Sequence, residues 1–144
     1  MKQVRKLMVP QFTVVSEKDP LYIVVEKVAS KESILACVLD KNEKIIGIIT
    51  PRDLLRVIQA QGFGPGRHPY FAGQELLHFL TSKYAQDIMV APVYLRPDDG
   101  QEKAIEIMLA NKFYEVPVVE HGKVLGMINY FNIICSSLEF LKKE

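Results

Sequence analysis

The chain is one unit written twice, and that repetition limits the folds open to it more than any other feature. "KLMVPQFTVV" at residues 6–15 is echoed by "DIMVAPVYL" at 87–95, and "KIIGIITPRDLLRVI" at 44–58 by "KVLGMINYFNIICSS" at 123–137. The anchors keep step: Met8 to Met89 is 81 positions, and Gly47 to Gly126 is 79. So small a drift fits short loop insertions between two halves of one design.

Each half reads in the order β-α-β-β-α. A short β-rich lead-in (residues 12–15 and 93–95) runs to an acidic turn and then a helix. In the first half Asp19 is the expected N-cap, with Pro20 at the first helical position. Ile23, Val24, Val28 and Ala29 recur at helical spacing, as do Ala104, Ile105, Met108 and Leu109 in the second half. Hairpins follow, turning at Asp40-Lys41-Asn42-Glu43 and at Glu120-His121-Gly122-Lys123. Both second strands run into amphipathic helices, expected over 51–59 and 130–141. The glycine- and proline-rich stretch 59–73 is a connecting loop, and 74–84 a short amphipathic helix. The division is therefore a first repeat over 1–60, a connection over 61–84 and a second repeat over 85–144. One such unit has too little surface to close a core. The expected fold is α/β (α+β): two repeats packed sheet against sheet about a pseudo-two-fold axis.

In this arrangement the chain resembles a tandem pair of cystathionine-β-synthase (CBS) domains, the regulatory assembly often called a Bateman module. The residues that carry the resemblance are "LMVP", "IMVAPV", "EVPVVEHGKVLGMI" and "GIITPRDLL", and it extends from about residue 4 to 141. It implies a cleft between repeats that holds an adenosyl ligand (AMP, ADP, ATP or S-adenosylmethionine) and a role in regulating another protein. It also implies that Thr50 and Asp53 face the lead-in segment of the opposite repeat, Met89, Val90, Pro92 and Val93, with Ile48 and Arg52 counted in the same site. Tyr114, Val116 and Pro117 on the neighbouring strand would complete the lining.

The stretch "GIITPRD", residues 47–53, supports two compatible readings. Thr50 with Asp53 is a capping box, and Pro51 takes the favoured first helical position. The same atoms suit a nucleotide: a carboxylate accepts both hydroxyls of a ribose diol, the first helical turn offers N–H groups to phosphate, and Arg52 adds a charged contact. The second copy, "GMINYFN", replaces Thr50 by Asn129 and Asp53 by Asn132. Asparagine still caps a helix but presents no carboxylate. The pseudo-equivalent cleft at Met8, Val9, Pro10 and Phe12, with Asn129 and Asn132, is therefore expected to be degenerate.

Other functions find little support in the residues. A formal charge of +1 over 144 residues argues against a nucleic-acid partner, and the apolar runs are too short to insert in a membrane. The basic N-terminus lacks the pattern of a signal peptide, so the expected setting is cytoplasmic. Cys37 and Cys135 form no Cys-x-x-Cys pair and read as two buried thiols in a reducing cytoplasm. His68, His78 and His121 make no metal-binding spacing, and Arg67 and His68 read as solvated loop residues. With no nucleophile, phosphate-loop or metal motif, no enzyme activity is expected. The expected partners are a second copy, through helices whose apolar surface exceeds one face, and a separate regulated protein. The competing reading is a ligand-free adaptor that keeps the repeats for dimerisation.

Overall fold

The computed structural model describes residues 2–31, 35–62 and 73–142. After a 3-10 turn at Val4–Lys6, the first repeat runs β1 (Thr13–Ser16), α1 (Leu21–Lys31), β2 (Ala36–Leu39), β3 (Ile45–Ile49) and α2 (Pro51–Gly62). Two connecting helices follow, α3 (Gly73–Thr81) and α4 (Ala85–Ile88). The second repeat is α5 (Gln101–Asn111), β4 (Glu115–Glu120), β5 (Lys123–Asn129), α6 (Tyr130–Ser136) and α7 (Leu138–Lys142).

In the first sheet β1 pairs parallel with β2, and β2 antiparallel with β3. The second sheet holds β4 and β5. Its expected third strand over 93–95 is reduced to a single parallel bridge, Leu95 to Val118. The cause is a proline. Leu95 N–H donates to Pro117 O at 3.0 Å, and Leu95 O accepts from Val119 N–H at 2.8 Å. The next rung would need an N–H from Pro117, which has none.

Each sheet packs helices on one face and the other sheet on its opposite face. Val15, Val38 and Ile49 meet Val24, Leu54 and Val57 in the first helix-facing cluster. Leu95, Val116, Val118 and Ile128 meet Ala104, Met108 and Ile133 in the second. Between the sheets lie Leu35, Cys37, Ile48 and Met127, all at most 2% exposed. The expected sheet-on-sheet packing is what the core shows.

The repeats exchange their lead-in segments. Val4 is buried in the second repeat's cluster, whereas Phe79, Ala85 and Ile88 are buried in the first. The hydrogen bonds repeat in step. Val4 N–H donates to Asp99 O at 2.8 Å, as Ala85 N–H does to Asp19 O at 2.9 Å. Val9 and Met127 bond each other through both main-chain groups at 2.8 Å, as Ile48 and Val90 do at 3.0 and 2.9 Å. The pseudo-two-fold relation therefore reaches individual main-chain bonds.

Several boundaries differ from expectation. Asp19 is not the cap of α1: Pro20 O accepts from Ile23 and Val24 N–H at 3.0 and 3.2 Å, placing the proline at the N-cap. The Asp19 carboxylate instead closes the preceding turn on Ser16 N–H at 2.9 Å and pairs with Lys27 at 3.1 Å. Helix α2 continues past 59 to Gly62, because Ala60 packs under Phe79 and the Gln61 amide donates to Phe79 O and Ser82 O at 2.9 and 2.8 Å. The helix expected over 74–84 stops at Thr81, and Tyr84 caps α4 instead. The helix expected over 130–141 breaks at Ser137, whose hydroxyl donates to Ile133 O at 2.8 Å and accepts from the buried Gln101 amide at 2.6 Å. Most of the glycine-rich connection, with Arg67 and His68, lies outside the described residues.

Candidate functional site

Thr50 joins β3 to α2 and is 8% exposed. Its hydroxyl donates to Asp53 Oδ2 at 2.8 Å and accepts from Asp53 N–H at 3.2 Å, while Thr50 N–H lies 3.4 Å from the same Oδ2. The expected capping box is present. Both contacts of the carboxylate use Oδ2; among the described residues Oδ1 accepts no hydrogen bond, which leaves it as a charged acceptor at the mouth of the helix.

Beside this cap opens a cleft of about 440 Å³, within the range of small-ligand sites. The first repeat contributes Leu35, Thr50, Pro51 and Arg52 to it. The second contributes Asn111, Lys112, Phe113, Tyr114 and Glu115, the segment that leaves α5 and starts β4. Lys112 ends α5 in the left-handed conformation, φ 57°, with its N–H on Met108 O, which turns the chain sharply toward the cleft. Arg52 and Lys112 supply exposed cations, and Glu115 supplies a carboxylate.

The structure brings together only part of the expected lining. Thr50, Arg52 and Tyr114 share the cleft, with Asp53 bonded to Thr50 at its margin. Val116 lies elsewhere: strand alternation turns it into the second helix-facing cluster, where it is fully buried. Pro117 is buried opposite Met127 in the β4–β5 register. Ile48 is buried between the sheets and is bridged to Val90. Met89 packs on the first helix-facing cluster, Val93 joins the inter-sheet core and Pro92 is half-buried. Met89, Val90 and Val93 brace β3, and neither they nor Pro92 are among the residues that line the cleft. Sequence reasoning missed Leu35, Asn111, Lys112, Phe113 and Glu115. One signal was available: Leu35, just before β2, and Glu115, the first residue of β4, are repeat-equivalent, 80 positions apart, and such positions meet near a pseudo-two-fold axis.

At the second copy, Asn129 Oδ1 accepts from Asn132 N–H at 3.0 Å and Asn132 Oδ1 from Asn129 N–H at 2.8 Å, so capping survives the loss of the carboxylate. Tyr130 stands where Pro51 does, donates its N–H to Tyr114 O at 3.2 Å and sets its ring 5.1 Å from that of Tyr114. Met8 lies against Gly126, Val9 pairs with Met127, Phe12 packs between the sheets and Pro10 is exposed.

The remaining chemistry is modest. Burial, with the Glu115 charge as a smaller cause, raises the Cys37 thiol to about 12. Cys135, expected to be buried, is exposed. His78 packs its ring 5.0 Å from Phe79, and His121 holds a left-handed turn position, φ 53°. Among the described residues no group of three or more His, Cys, Asp or Glu could hold a metal ion, and no helix is long and apolar enough to cross a membrane.

A family model described as the CBS domain matches residues 4–60 and again 85–138. The chloroplastic CBS domain-containing protein CBSX1 of Arabidopsis thaliana is 29% identical over 115 residues, covering 71% of this chain and 49% of its own length. This chain thus spans about half of that relative. The crystal structure of CBSX2 in complex with AMP superposes with a TM-score of 0.75 at 23% identity, over 98% of this chain and 99% of that one. The cytosolic domain of the Mg²⁺ channel MgtE in complex with ATP gives 0.68 at 20% identity, over 93% of this chain and 48% of that one. With a family match in each half and the tandem architecture shared by those structures, the chain belongs to the CBS domain family as a tandem CBS pair.

Proposed function

We propose that this CBS pair is a non-catalytic sensor that holds an adenosine nucleotide, AMP, ADP or ATP, or else S-adenosylmethionine, in the inter-repeat cleft and signals occupancy to a separate protein. The observation that carries the reading is the 440 Å³ cleft in which Thr50 and Arg52 of one repeat face Lys112 and Tyr114 of the other. A phosphate suits Arg52, Lys112 and the first turn of the twelve-residue α2; a ribose diol suits Asp53 Oδ1. The AMP bound to CBSX2 and the ATP bound to MgtE support the choice of ligand. Ligand across the junction ties the two repeats together, and the partner reads the resulting shift in their populations. The free thiols of Cys37 and Cys135 fit a reducing, cytoplasmic setting. A thermal-shift panel of AMP, ATP, S-adenosylmethionine and GMP tests the reading. Stabilisation by at least one adenosyl compound above GMP supports it; equal or absent shifts across the panel reject it.

A second observation favours self-association. Ile105, Met108, Leu109, Ile133, Ile134 and Leu141 line an apolar groove of about 370 Å³ between α5 and α6–α7, and Leu109, Ile134 and Leu141 are 60% or more exposed. We assign this face to a homodimer. If no nucleotide binds, the same groove supports the adaptor reading, in which the repeats serve as a dimerisation scaffold.

A further inference from the structure

The lining of the cleft is chemically uneven. Its cations, Arg52 and Lys112, are both exposed. Leu35 is 2% exposed, and Phe113, Tyr114 and Glu115 are half-buried. Glu115 is thus a carboxylate in the less exposed part of the lining, which it shares with apolar and aromatic side chains. Its Oε1 is shielded from solvent, and its charge is felt by the thiol of Cys37 in the core between the sheets. The fold does not require an acid there, because the repeat-equivalent position is Leu35.

A carboxylate only accepts hydrogen bonds, and it repels phosphate. The phosphate end of a nucleotide therefore belongs with Arg52 and Lys112, and a flat, donor-bearing end belongs with Leu35, Phe113 and Glu115. In an adenine nucleotide the base carries its N–H donors on the exocyclic 6-amino group. We propose that the Glu115 carboxylate accepts a hydrogen bond from that amino group and so sets the cleft's specificity for an amino-bearing purine. This inference rests on the nucleotide reading above and adds to it a residue that reads the base.

The test is a cycle that removes the donor from the ligand and the acceptor from the protein in turn. The intact chain and its Glu115→Ala and Glu115→Gln variants are titrated calorimetrically with AMP and with purine riboside 5′-monophosphate, which has hydrogen in place of the amine. A hydrogen bond to a charged group predicts that the wild type prefers AMP by roughly ten- to a hundred-fold. In Glu115→Ala the preference falls to within about three-fold, because the same bond has already been lost. Glu115→Gln keeps an acceptor of the same shape without the charge, so its preference for AMP falls between those of wild type and Glu115→Ala, and unchanged thermal melts of both variants show that the fold is kept. Wild-type binding that ignores the amine overturns the inference and leaves the nucleotide reading standing, as does a preference unchanged in Glu115→Ala. GMP binding more tightly than AMP overturns the assignment to the 6-amino group. Failure of the wild type to bind AMP, the purine riboside monophosphate or GMP overturns the inference, and the nucleotide reading falls with it only if ATP and S-adenosylmethionine also give no thermal shift.

Discussion

Cys37 and Cys135 show how differently one chain treats the same side chain. Cys37 is fully buried, and its thiol titrates near 12 rather than at the ordinary 9.0. At pH 8 it is neutral and enclosed, whereas Cys135 is exposed. A thiol reagent should therefore label one equivalent quickly and the second only on unfolding; two fast equivalents would contradict the packing. The linkage sign follows from the raised value. The buried thiol contributes stability that is fully present below the unfolded value and is lost as pH rises toward 12. At this scale the legible part of the site was the local part. Thr50 and Asp53 are three residues apart, and their bonds follow from helix-start geometry alone. Lys112 and Glu115 enter the cleft because a turn in the second repeat is laid against a helix start in the first, and no spacing within either segment records that apposition.

Among the elements, the repeated glycine of the β3 and β5 motifs has a steric cause. A Cβ on Gly126 would lie 2.4 Å from Val9 O, a main-chain atom held in the exchange with Met127. A Cβ on Gly47 would meet side-chain atoms alone, Met89 Sδ at 2.6 Å and Met89 Cβ and Cγ at 2.9 Å, of which Sδ and Cγ can rotate away. Gly126→Ala should therefore cost about 1–3 kcal/mol and Gly47→Ala less, read as urea midpoints at unchanged slope. Equal losses would mean that the lead-in segment at Val9 yields as readily as a methionine. The hairpins were readable from alternation and turn residues. The missing third strand of the second sheet was not, because it depends on which main-chain group Pro117 would have offered to a strand far away in sequence. The break at Ser137 depends likewise on the amide of Gln101 arriving from another helix.

For the whole molecule, the repeat made the two-sheet architecture readable, and the exchange of lead-in segments is what locks the halves into one body. Val4 and Ala85 each complete the core of the opposite repeat, so neither repeat is closed by its own residues alone. The apolar groove at Leu109, Ile134 and Leu141 predicts association: sedimentation should show a species of twice the 16.4 kDa chain mass, and Ile134→Asp should return it to one. A wild type that stays monomeric at tens of micromolar would remove that face as a dimer contact. The central claim is that one cleft per chain, built on Thr50 and Asp53, holds an adenosine nucleotide while its asparagine counterpart does not. Titration calorimetry with AMP on the wild type, Asp53→Asn and Asn132→Ala tests it most directly. The account predicts one strong site per chain, a loss of about ten- to a hundred-fold in Asp53→Asn without loss of fold, and little change in Asn132→Ala. Two equal sites per chain, or an Asp53→Asn variant that binds like wild type, would contradict it.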